Sequence, residues 1–172
     1  AFVLLSPFAQ QRLRTVPRRS LYLDLLAYLE AHAKSSVPFT PAIPAVYGLD
    51  AALDELLEEG LVNRQATYAR RMAFLDQELR QIGLVPRVAP AHRSHSVRSL
   101  PLPPGIPYDP LHDALKGRGY VIYAGLGDAA TTSFRICALG NISIDVLAGF
   151  MTCLRQTLLQ MGATLPDEAS FP

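Results

Sequence analysis

The spacing of apolar and polar positions changes several times along the chain, and each change marks an element. Ala1-Phe2-Val3-Leu4-Leu5 is an apolar run that reads as a short strand, stopped by Ser6-Pro7. Gln10 to Arg19 is basic and broken by proline, the composition of a surface connector. Ser20 is a favourable N-cap residue, and Leu21, Leu25, Leu26 and Leu29 recur after it at helical spacing as far as Lys34. Pro38 and Pro41 lie too close together to share a helix interior, so an extended loop is expected there. Val46, Leu49, Leu53, Leu56 and Leu57 then form an apolar stripe closed by Gly60. Tyr68, Met72, Leu75, Leu79 and Ile82 alternate steps of four and three, which predicts a helix over 62–82 ended by Gly83. Two such helices with a short joint are expected to pack antiparallel.

The period then shortens. Residues 84–88 and 94–102 are β-compatible, and Pro101, Pro103 and Pro104 end the second stretch. A helix is expected from Asp109 or Pro110 to Lys116, with proline in its first turn and Gly117-Arg118-Gly119 behind it. Tyr120-Val121-Ile122-Tyr123 and residues 132–137 read as strands. Residues 141–161 read as a last helix with Val146, Leu147, Phe150, Leu154 and Leu158 on one face. No internal repeat is present. The order describes an α+β fold, helices packed on a small, mostly antiparallel sheet.

At 172 residues and 49% hydrophobic, the chain is long and apolar enough to bury one core. Sixteen Lys and Arg against fifteen Asp and Glu leave a net charge of +1, which gives no footprint for nucleic acid. No apolar run is long enough to span a bilayer, and the first residues lack the basic region of a secretory signal. Cys137 and Cys153 are too few for a disulfide or zinc framework, and a cytoplasmic setting is expected. Only Lys34 and Lys116 are lysines, which restricts chemistry that needs an amine.

There is no phosphate loop, no nucleophile elbow and no metal-ligand spacing. His92 and His95 have no evident third ligand and read as surface histidines, as does His112 in its helix; no metal site is proposed. Arg135 lies between Phe134 and Ile136, so it faces away from them. Such an arginine either binds an anion or belongs to an ion pair or a snorkelling side chain. Gly125-Leu126-Gly127 lacks a third glycine and an immediate helix, and reads as a turn. Thr40 either caps the helix that follows or offers its hydroxyl and amide to an anion, with capping the reading that spacing favours.

Two longer strings carry a resemblance. Residues 108–125, from Tyr108-Asp109-Pro110 to Tyr123-Ala124-Gly125, together with Phe134-Arg135-Ile136 and Leu139-Gly140-Asn141-Ile142, resemble the C-terminal part of class V aminotransferases. Phe39-Thr40-Pro41 and the helix containing Leu53-Asp54-Glu55-Leu56-Leu57-Glu58-Glu59-Gly60 match the same family in the same order, over roughly residues 1–160. The similarity is greatest to the 2-aminoethylphosphonate:pyruvate branch. The resemblance implies a pyridoxal phosphate enzyme of the aspartate-aminotransferase fold, working as a homodimer on a small amino donor and a keto acid. It places residues 1–19 at the last strand of a large domain and its connector. Residues 20–41 become the interdomain helix and loop, 42–165 the C-terminal domain, and 166–172 a loose tail. It makes Arg135 the grip on the substrate carboxylate, and Thr40 the contact to the cofactor phosphate of the neighbouring subunit.

Neither Lys34 nor Lys116 matches the family's cofactor-attaching lysine, which is expected upstream of Ala1, so no catalytic residue is assigned. The implied activity, transfer of the amino group of 2-aminoethylphosphonate to pyruvate, is not expected of these residues alone. Alternatives are another class V activity of the alanine:glyoxylate or serine:pyruvate type, or a non-catalytic interaction module.

Overall fold

The computed structural model describes residues 2–166. Contacts divide the chain between Glu55 and Leu56 into two units. The first unit holds α1 (Pro7–Leu13), α2 (Leu25–His32) and most of α3 (Ile43–Glu59). None of its described residues is buried. Phe2 to Leu5 form no strand, contrary to the expectation, because a strand exists only by pairing and none of the described residues pairs with them. Phe2, Val3 and Leu5 share a shallow apolar groove with Tyr22, Leu25 and Leu29 instead.

Ser6-Pro7, read above as a stop, starts α1: the Ser6 hydroxyl accepts from the Ala9 amide, and Pro7 fits the first turn, where no donor is needed. Helix α2 begins after Asp24 rather than Ser20. The Asp24 carboxylate accepts from the amides of Leu26 and Ala27 at 3.0 and 3.2 Å, while Ser20 closes the preceding turn on Leu23. The stripe on α3 is present in sequence but uncovered: Val46 is 57% exposed and Leu57 78%. Helical spacing creates an apolar face without supplying what covers it.

The second unit contains the core. Helix α4 (Leu61–Gln81) buries Met72, Leu75 and Leu79, as its periodicity predicts. Strands β1 (Val97–Pro101), β2 (Tyr123–Ala124) and β3 (Ser133–Cys137) form an antiparallel sheet in the order β1-β3-β2, with α5 (Tyr108–Lys116) and α6 (Ile144–Gln160) packed on each other. Phe134 and Leu100 on the sheet, Leu111 and Leu115 of α5, and Leu154 and Leu158 of α6 are fully enclosed. Each such side chain contributes about 1.5–3 kcal/mol by burial. Residues 84–88 make a single ladder-like bond, Arg87 N–H to Ser99 C=O, and no strand. Val146, expected on the core face of α6, is half exposed. The α+β architecture stands. The expected tail lies, beyond Pro166, outside the described residues.

Candidate functional site

Arg135 sits at the centre of β3, the middle strand, with Ser99 of β1 and Tyr123 of β2 directly opposite it on either side. Phe134 and Ile136 point into the core, so Arg135 stands on the other face, half-buried. Its Nε donates to the Ala124 carbonyl at 2.9 Å. Among the described residues, neither terminal nitrogen makes a hydrogen bond, and no carboxylate lies within ion-pair distance. The ion-pair alternative is thus not what the structure shows. One edge of the guanidinium is fixed, and the fork that suits a carboxylate is left open.

The strand end beside Arg135 is shaped by Gly125. A Cβ there would meet the Ala129 carbonyl oxygen at 2.2 Å and Ser133 Oγ at 2.3 Å, so no side chain fits. Its N–H donates to the Ser133 carbonyl at 2.8 Å, and Ser133 Oγ donates to the Ala129 carbonyl. Gly127 begins a single 3-10 turn, as a turn reading requires. On the entry side, Gly119 adopts φ +90°, a region that favours glycine, and closes α5 so that the chain turns into β2.

Tyr108 opens α5. Its hydroxyl donates to the Ile122 carbonyl at 3.0 Å. Burial pushes its phenol up from the ordinary value, against the opposing pull of the Ala124 backbone and the Arg135 charge, so the donated proton stays in place at neutral pH.

Thr40 lies in the first unit, exposed, just before α3. It does not cap that helix. Pro41 and Ala42 carbonyls accept the first amides instead, from Ile43, Ala45 and Val46. Among the described residues no hydrogen bond engages the Thr40 hydroxyl or amide. The neighbouring Phe39 ring packs against Tyr22 at 5.0 Å and Tyr28 at 6.1 Å, which holds the loop beside α2. A hydroxyl and an amide without internal partners are a donor set that fits a phosphate oxygen.

Two arginines outside this site are spoken for. Arg98, 5% exposed on the core face of β1, forms a two-pronged pair with Asp76 of α4 at 2.7 and 2.9 Å, and Arg93 approaches the same carboxylate at 3.5 Å. Burial opposes ionisation of Asp76, but the hydrogen bonds and charge of Arg98, helped by Arg93, hold its carboxyl below the usual range. Arg71 of α4 donates to the carbonyls of Ala138 and Gly140, pinning the loop that leaves β3. Sequence reasoning missed both, although spacing carried a signal. Arg98 shares the parity of buried Leu100, and Asp76 falls four after Met72 and three before Leu79. His112 bonds Asp113 and stacks on Tyr108; no cluster of possible metal ligands occurs among the described residues, nor any helix long and apolar enough to cross a membrane.

No family model matches the chain. Individual proteins do. It is 30% identical over 143 residues to an uncharacterized aminotransferase of Methanocaldococcus jannaschii, covering 82% of this chain and 37% of that protein. A 2-aminoethylphosphonate–pyruvate transaminase of Polaromonas sp. is 31% identical over 132 residues, covering 75% and 35%. The crystal structure of a subgroup IV aspartate aminotransferase from Thermus thermophilus superposes with a TM-score of 0.74 at 32% identity, over 91% of this chain and 43% of that one. The chain matches the C-terminal part of class V pyridoxal phosphate-dependent aminotransferases. It spans little more than a third of the length of the curated relatives. The fold is that of fold type I aminotransferases, and its sheet carries Arg135 on the face opposite the core.

Proposed function

We propose that the chain supplies the keto-acid and cofactor-phosphate contacts of a transaminase that moves the amino group of 2-aminoethylphosphonate to pyruvate. The observation that carries this reading is the Arg135 fork, aimed by one hydrogen bond and facing no acid among the described residues. A keto-acid carboxylate accepts two parallel N–H bonds from such a fork, which orients the carbonyl beside it. Pyridoxal phosphate, when bound, supplies the electron sink that carries the amino group between donor and acceptor. Thr40 offers its hydroxyl and amide to a phosphate oxygen of that cofactor, which in a homodimer belongs to the neighbouring subunit. Lys34 follows α2 and Lys116 ends α5, both exposed, and neither is assigned the attachment of the cofactor. The chain alone is read as inactive. The amino donor follows the relatives' names. A second reading, another class V transaminase with the same arginine, draws on the aspartate aminotransferase likeness at 32% identity.

The test is a pyruvate titration of the 15N-labelled chain, following the Nε–Hε resonance of Arg135 in the parent and the backbone amides of Tyr123 and Ala124 beside it in parent and variant alike. A saturable shift is expected, weakened about tenfold in Arg135→Lys, whose point charge cannot reproduce the fork. An equal response in parent and variant rejects the assignment. Borohydride reduction in the presence of pyridoxal phosphate, followed by mass mapping, should label neither lysine stoichiometrically; one fully labelled lysine contradicts the inactive-alone reading.

A further inference from the structure

Strand β2 is two residues long and forms one edge of the sheet. Because Gly125 and Ser133 share a ladder bond, the backbone groups of Ala124, opposite Phe134, point away from β3. The Ala124 carbonyl is therefore an outer-edge group, and Arg135 reaches across β2 to donate to it. An edge this short has little to hold its register. What holds it is a phenol: the Tyr108 hydroxyl donates to the Ile122 carbonyl, two residues before Ala124, as a neighbouring strand would. Tyr108 is itself fixed, since α5 is anchored by fully buried Leu111 and Leu115. Its ring also meets that of His112 at 5.6 Å and 31°, and His112 Nδ1 lies 2.9 Å from the Asp113 carboxylate.

We infer that Tyr108 is the positioning residue of Arg135, bolting the outer edge of β2 so that the Ala124 carbonyl stays where it aims the guanidinium. Its consequence for substrate binding rests on the carboxylate reading above; the geometric claim does not.

The experiment uses the 172-residue chain, labelled with 15N. In Tyr108→Phe, which keeps the ring and removes the hydroxyl, Arg135 Nε–H exchange with water is expected to rise at least about fivefold, and the pyruvate-induced shift to weaken by a similar factor. A core variant on α4 such as Leu79→Val, lowering stability without touching α5 or the edge of β2, should leave both readouts at parental values. Should Tyr108→Phe not fold, His112→Ala, which loosens the same ring from the surface of α5, is expected to raise the exchange at least twofold. Unchanged exchange in a folded Tyr108→Phe, or in His112→Ala in its stead, overturns the proposal, as does an equal rise in Leu79→Val. Faster exchange in Tyr108→Phe from a parent that ignores pyruvate upholds the positioning and overturns only the carboxylate reading. A parent that binds pyruvate saturably, matched by a folded Tyr108→Phe with equal exchange, overturns the positioning and leaves the carboxylate reading standing.

Discussion

Arg98 and Arg135 occupy neighbouring strands of one sheet on opposite faces, and their surroundings separate a paired charge from an open one. Arg98 points inward, where an unpaired guanidinium is too costly, and Asp76 answers it. Removing one partner of such a buried pair typically costs about 3–5 kcal/mol, so Asp76→Asn is expected to lower the unfolding free energy by about that amount in denaturant titrations. The pair also gives stability a pH dependence. The Asp76 carboxyl titrates below its unfolded value, so its contribution is complete above the ordinary carboxylate range and is lost as pH falls through the lowered folded value. Acid unfolding of Asp76→Asn should lack that component; a parental acid limb in the variant would refute it. Arg135 points outward, where solvent lowers the cost of leaving its terminal nitrogens open.

Among the elements, the caps and strand ends carry the information that periodicity does not. Periodicity located α4 and α6 closely, because each buries one face against the other. It did not distinguish Ser6-Pro7 as a start from the same pair as a stop, since proline serves both roles and only the Ser6 to Ala9 bond decides. Nor could the run Tyr120 to Tyr123 reveal that only Tyr123 and Ala124 pair; pairing is a property of β3 as much as of β2. Gly125 shows how tightly that end is built. Gly125→Ala would drive a methyl into the Ala129 carbonyl and Ser133 Oγ, and is expected to cost about 2–4 kcal/mol in thermal unfolding. A variant with parental stability would mean that the turn relaxes freely.

At the scale of the whole chain, every buried side chain among the described residues lies between Arg71 and Ala163. Resistance to opening follows buried contact, so amides of α4, β3 and α6 should exchange only by global unfolding, and those of α1 and α2 at least about a hundredfold faster. Uniform protection across both units would contradict this distribution.

Whereas the carboxylate and phosphate roles proposed for Arg135 and Thr40 rest on the resemblance of two strings to a family, chain order, periodicity and turn chemistry were enough to give the α+β class and most of the core faces. These are local properties, carried by residues a few positions apart. Which arginine would be neutralised and which backbone carbonyl would aim the Arg135 fork were decided by distant segments brought together. Charge pairing and strand pairing depend on distance in space, to which spacing along a chain is blind.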